Sequence, residues 1–141
     1  PRVEVVERVN ARSLEPALLP YVPDLVVVDV SFISSAKVLP AVLRCAAPRF
    51  DALVMVKPQF EVGPQRVGKN GVVRSAADRR AALVHVARSS DAAVLGFAPS
   101  GVPGPKGNRE TFVWLAEAGR AGALALADLD GAALEVEPDA S

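Results

Sequence analysis

Two hydrophobic signatures take turns along this chain. Residues 25–28, Leu-Val-Val-Val, which end on Asp29, and residues 52–56, Ala-Leu-Val-Met-Val, are short unbroken apolar runs bounded by turn-forming residues. Runs of this length, rich in valine, predict strands of a parallel sheet covered on both faces. Residues 3–7 and 92–98 read as further strands, and 111–115 as a last one, antiparallel to its predecessor because the loop before it is short. Between the first two runs, Val38, Leu39, Val42 and Leu43 recur at helical spacing, with Ser34 or Ser35 placed to cap the helix and Pro40 near its start. A second helix is predicted from a Ser75 cap to about Ser89, with Ala82, Leu83 and Val86 inside it. Strands alternating with helices predict an α/β fold with right-handed crossovers.

The intervening stretches are loops. Residues 58–71 hold Gly63, Pro64, Gly68, Asn70 and Gly71, and form a connection long enough to be a lid or binding loop. Residues 100–108 form a Gly/Pro loop; its prolines lack N–H donors and a strand follows it, so it is a poor phosphate cradle. No Gly-rich turn stands between a strand and a helix, the usual mark of a nucleotide-type cofactor site. From Glu117 onward the chain is rich in Ala, Gly and acids, with Gly119, Gly122 and Gly131 interrupting it. Residues 117–141 are expected to be a loosely held or disordered tail.

Composition narrows the picture. The chain has 141 residues, half of them hydrophobic, enough for one domain with a core. Formal net charge is +0, which gives no argument for nucleic acid. The single cysteine, Cys45, rules out an internal disulfide, suits a reducing cytoplasm, and is expected in the core. No segment approaches the apolar length of a membrane span.

In open α/β sheets the ligand crevice lies beyond the carboxyl ends of the strands. Asp29 ends one run and Lys57 ends the next, so neighbouring strands would bring an acid and a base to one rim. Glu110 opens the last strand. A lone aspartate at a strand end is ordinarily a turn residue, and a lone lysine before proline is ordinarily solvated. Three such groups on one sheet make a candidate site, in which carboxylates orient an amine.

Four blocks carry a family resemblance: Asp-Val-Ser-Phe-Ile-Ser at 29–34, Val-Lys-Pro-Gln-Phe-Glu at 56–61, Gly-Lys-Asn-Gly-Val-Val-Arg at 68–74 and Gly-Pro-Lys-Gly-Asn-Arg-Glu at 104–110. With an upstream block, Glu-Arg-Val-Asn-Ala-Arg at 7–12, they resemble the TlyA branch of the FtsJ-like ribose methyltransferases over about residues 2–116. In that family's block, threonine usually stands where this chain has Val9.

The resemblance implies a Rossmann-like methyltransferase fold, mostly parallel with an antiparallel last strand. It also implies methyl transfer from S-adenosylmethionine to a ribose 2′-hydroxyl, typically of cytidine, in ribosomal RNA. The family's Lys-Asp-Lys-Glu tetrad would place its Asp on Asp29, its second Lys on Lys57 and its Glu on Glu110. The first Lys would precede residue 1. It would be the neighbouring cation that helps Lys57 shed its proton. Asn10, Ala11 and Asp29 would lie near the cofactor, and Lys69, Arg74 and Arg109 near RNA phosphates, although each could equally be a solvated surface charge. No metal is implied.

The resemblance further implies that residues 1–116 are the C-terminal part of a catalytic domain. The N-terminal strands and an RNA-binding module would then lie outside the chain, leaving an inactive fragment whose apolar strand edges are uncovered. The partners would be ribosomal RNA or ribosomal subunits, without a membrane; oligomeric state is left open. Two alternatives stand beside this reading: a non-catalytic α/β module that binds RNA or protein, and the haemolysin label carried by some relatives.

Overall fold

The computed structural model describes residues 2–139. Its sheet has four strands: β1 (Leu25–Val28), β2 (Asp51–Val56), β3 (Ala93–Pro103) and β4 (Arg109–Ala116). They lie in the order β1-β2-β4-β3. β1 and β2 pair in parallel, while β4 runs antiparallel to both β2 and β3. Three strands therefore share one direction and β4 opposes them, as the α/β reading expects. The order is less obvious: β4 inserts between β2 and β3 rather than following on at the edge.

Three helices cover one face: α1 (Ser35–Arg44), α2 (Ala76–Ala87) and α3 (Leu129–Val136). Ser34 caps α1, its hydroxyl accepting from the Ala36 N–H; Ser75 caps α2 by accepting from the Asp78 N–H. Pro40 lies inside α1 rather than near its start. The core joins Val28, Val54, Val56, Val113 and Leu115 of the sheet to Val38, Leu39, Leu83, Val86 and Leu129 of the helices. Cys45 is buried beside this core as a free thiol.

Among the described residues, the other face is not covered. Leu25 and Val27 are 61% and 64% exposed, and the cross-strand neighbours Leu53 and Trp114 are exposed as well. The expectation of a doubly covered β1 is therefore corrected: among the described residues all three helices contribute to a single core on one side.

Three further expectations change. Residues 3–7 are not a strand; Val3, Val5 and Val6 are exposed and pair with no strand among the described residues, and an unpaired extended segment gains no ladder. Residues 100–103 extend β3, with register shifts that let it reach Arg109. Third, the segment read as a loose tail contains α3, with Leu129 and Ala133 fully buried. Gly131 costs this helix about 1 kcal/mol, less than burying a leucine contributes. Its end is tied down: Arg79 Nε donates to Glu137 Oε2 at 2.9 Å, and Arg80 donates to the Glu137 carbonyl at 2.8 Å. The 58–71 connection is organised by three 3₁₀ turns, Pro58–Phe60, Pro64–Arg66 and Lys69–Gly71.

An ionic cluster closes the amino end of β2. Arg120 grips Glu117 through two 2.8 Å bonds and reaches Asp51 at 3.1 Å, while the Trp114 indole donates to Asp51 at 2.9 Å. The indole bond, then Arg120, lowers the Asp51 carboxyl. Arg120 holds Glu117 at about 2. Glu117 is thus a stronger acid folded than unfolded, so its stabilisation is present above its ordinary value of 4.5 and is lost as pH falls toward about 2. Glu117→Gln should flatten the fall in unfolding midpoint over that acid range, measured by thermal denaturation across pH. An unchanged acid limb would contradict the assignment.

Candidate active site

The carboxyl ends of β1 and β2 sit side by side because the strands pair in register, Val28 opposite Val54. Just past these ends, Lys57 Nζ lies 2.6 Å from Asp29 Oδ1 and donates to Ser31 Oγ at 3.0 Å. The lysine side chain is 14% exposed and the aspartate 59%, so the amine is held at the rim with its partner facing solvent. An ion pair this open is worth at most about 1 kcal/mol of stability. Its consequence is orientation of the amine.

Glu110 approaches from the other side. The β2–β4 ladder ends at Val56 opposite Thr111. One step further, its register sets Lys57 opposite Glu110, and directly opposed residues project to the same face. Glu110 Oε1 is buried without a hydrogen-bond partner. It rests against Gly104, where a Cβ would stand 2.7 Å from that oxygen and 2.9 Å from the Asn108 carbonyl. Only glycine leaves room there. The structure thus brings Asp29 and Lys57 into contact and puts Glu110 on the adjoining strand end, without a bond between Glu110 and Lys57.

The loops of 29–35 and 57–61 are joined along their length. Phe32 packs on Phe60 with ring centroids 5.1 Å apart. Glu61 accepts from the Ser35 N–H at 2.7 Å and from the Ser34 hydroxyl at 2.5 Å. Burial pushes the Glu61 carboxyl above its ordinary range, against these hydrogen bonds and His85, which lower it. Sequence reading passed over Ser31 and Glu61, although both lie in the quoted blocks; the only signal was their place within the 29–34 and 56–61 motifs.

A groove of about 620 Å³ runs along the free edge of β1, lined by Val9, Ala11, Val27, Asp29 and Val30 among others. Ala11 and Asp29 therefore share one cavity. Asn10 does not line it; its side chain caps a 3₁₀ turn by accepting from the Arg12 N–H at 3.0 Å. Lys69 and Arg74 are exposed on the 68–74 loop. Arg109 is also exposed, but its guanidinium stands 3.6 Å from Glu137, which offsets part of its charge.

Asn108 latches the 68–74 loop to the β3–β4 turn. Its Oδ1 accepts from the Val73 N–H at 3.1 Å and its Nδ2 donates to the Gly71 carbonyl at 2.8 Å. Asn108 and Val73 are both almost fully buried. Asn108→Ala should strand that N–H and destabilise the fold by about 1–3 kcal/mol. Denaturant unfolding and faster hydrogen exchange at Val73 would register the loss; unchanged exchange would show that the latch carries nothing.

The FtsJ-like methyltransferase family matches residues 1–117. The chain belongs to that family. A Mycobacterium tuberculosis protein (strain H37Rv), the 16S/23S rRNA (cytidine-2′-O)-methyltransferase TlyA, is 48% identical over 118 residues, covering 82% of this chain and 44% of its own length. Hemolysin A of Brachyspira hyodysenteriae is 32% identical over 74 residues, 52% of this chain and 31% of its own. Among solved structures, a Streptococcus thermophilus protein described as a hemolysin superposes with a TM-score of 0.84 at 28% identity, covering 96% of this chain and 50% of that one. The family member described here thus spans about half the length of the relatives it matches.

Proposed function

We propose that the protein containing this chain transfers a methyl group from S-adenosylmethionine to a ribose 2′-hydroxyl, typically of cytidine, in ribosomal RNA. The observation that carries the proposal is the 2.6 Å Lys57–Asp29 pair at the strand rim, with Glu110 one register step away. A ribose hydroxyl is a poor nucleophile near neutral pH, so the reaction needs a positioned base. When bound, the cofactor supplies the electrophilic methyl group. After its ammonium gives up a proton to solvent, Lys57 accepts the hydroxyl proton as the oxygen takes the methyl group; Asp29 and Ser31 aim the amine, and the free oxygen of Glu110 accepts from a donor on the lysine or the ribose.

The groove along β1 fits one side of the cofactor. Its walls are mostly apolar, with Arg2 and Glu4 also lining it, and Asp29 places a carboxylate at its rim where a sulfonium would be favoured. Ala11 lies beside the adenosine and Asn10 shapes the turn that presents it. Lys69, Arg74 and Arg109 contact phosphates, which position the RNA without reading its sequence. The four-strand portion alone is inactive in this reading, because it covers only 44% of the length of TlyA.

The test is tritium transfer from labelled cofactor to ribosomal RNA by the protein with its flanking sequence, with the product mapped as a 2′-O-methyl group. Absence of transfer under conditions where TlyA is active would reject the proposal. Membrane lysis is not favoured: no helix among the described residues is long and apolar enough to cross a membrane. Dye leakage from liposomes at low protein concentration would reverse that preference.

A further inference from the structure

We infer that Glu61 is a positioning residue, which sets the Lys57–Asp29 pair by clamping residues 29–35 onto the turn that follows Lys57. The inference deepens the methyltransferase reading and rests on it for its kinetic consequence alone.

Lys57 and Asp29 are the first residues past two paired strands, β1 ending at Val28 and β2 at Val56, so the sheet brings their backbones together but leaves the loops that follow untied. A contact beyond the sheet ties those loops to each other. Glu61 does so with both carboxylate oxygens: Oε1 takes the Ser35 N–H and Oε2 takes the Ser34 hydroxyl. Ser34 is also the N-cap of α1, so the carboxylate anchors the loop at the point where it becomes rigid. On the other side, Glu61 closes the 3₁₀ turn Pro58–Phe60, its N–H donating to the Pro58 carbonyl at 3.0 Å. Four links then run in parallel between the segments: Asp29 with Lys57, Ser31 with Lys57, Phe32 with Phe60, and Ser34 and Ser35 with Glu61.

The backbone adds a second observation. Phe32 adopts φ +62°, a left-handed conformation disfavoured for a bulky residue. It is 91% exposed, so burial does not hold it there. A strained residue persists where its surroundings over-determine it. The chain on both sides of it is bonded to the 57–61 turn, by Ser31 to Lys57 and, two residues on, by Ser34 to Glu61. Releasing Glu61 removes the C-terminal restraint, and the loop is then free to relax and carry Asp29 and Ser31 away from the amine.

The experiment compares Glu61→Ala and Glu61→Gln with the parent chain by NMR of the lysine ε-methylenes, Lys57 being assigned by its loss in Lys57→Arg. In Glu61→Ala the Lys57 signal should move toward those of Lys37 and Lys106, and the Phe32–Phe60 ring contacts should vanish, while Val54 and Leu115 methyl signals stay in place. Glu61→Gln keeps an acceptor for Ser35 and a donor toward Ser34, so it should restore both features. If Glu61→Ala does not fold, Glu61→Asp serves instead: its shorter side chain cannot span both serines, and the same signals should shift partway. An unmoved Lys57 signal with intact ring contacts in the variant that folds would overturn the clamp. In the longer active protein, Glu61→Ala should lower kcat about a hundredfold with KM for S-adenosylmethionine little changed, and Glu61→Gln should recover most of it. A parent protein that transfers no methyl group overturns the functional reading, while the NMR result still decides the clamp.

Discussion

Lys57→Ala in the longer protein is expected to reduce methyl transfer by roughly 10²–10⁴-fold, the usual contribution of a positioned general base. Cofactor affinity should hold, because the groove that Ala11 and Asp29 line does not include Lys57. Lys57→Arg should be as inactive as the alanine variant. Arginine can still pair with Asp29, but its guanidinium does not give up its proton and cannot act as a base. The pair of substitutions separates charge pairing from proton transfer. If Lys57→Arg turned over at the parent rate, the amine would be an electrostatic support, and the base would have to be sought elsewhere. Lys57→Ala should lower the unfolding midpoint modestly, because the lysine side chain is 14% exposed and its packed stem is lost, whereas the ion pair itself contributes little.

Leu129→Ala is expected to destabilise the fold by about 2–5 kcal/mol in denaturant unfolding, the cost of removing a fully buried leucine side chain. Leu129 lies beyond the 1–117 family match, in the segment whose composition suggests a loose tail. A tail residue would give a change near zero, so the measurement distinguishes the two descriptions directly. The loss should also reach the candidate site. Glu137, the residue that follows α3, holds Arg79 of α2 and stands 3.6 Å from Arg109, the residue before Glu110. Undocking α3 frees that arginine and loosens the amino end of β4.

The legible parts of this protein share a property: their signal is local. A short valine-rich run ending on Asp29, another ending on Lys57, and serine caps at 34 and 75 are each contained within a few residues. The same holds for the family blocks, each a run of six or seven residues, on which Asp29, Lys57 and Glu110 stand. The less legible parts depend on partners far along the chain. Residues 3–7 have the composition of a strand, but a strand exists only if another strand pairs with it. Residues 129–136 have the composition of a weak helix, but Leu129 and Ala133 find a core on the covered face of the sheet. Glu61 reads as one more acid in a loop until its contacts with Ser34 and Ser35 are seen.

Sequence alone therefore determined the α/β class, the family, and the identities of the acid, the amine and the second acid at the strand ends, because strand propensity, capping and motif spacing are written over short windows. Tertiary structure alone decided that β4 inserts between β2 and β3, that one face of the sheet is bare, and that Lys57 meets Asp29 and Ser31 while Glu110 keeps an unpartnered oxygen. Those outcomes turn on which distant surfaces bury one another and on ångström-scale hydrogen-bond geometry, and neither is encoded in any one stretch of the chain.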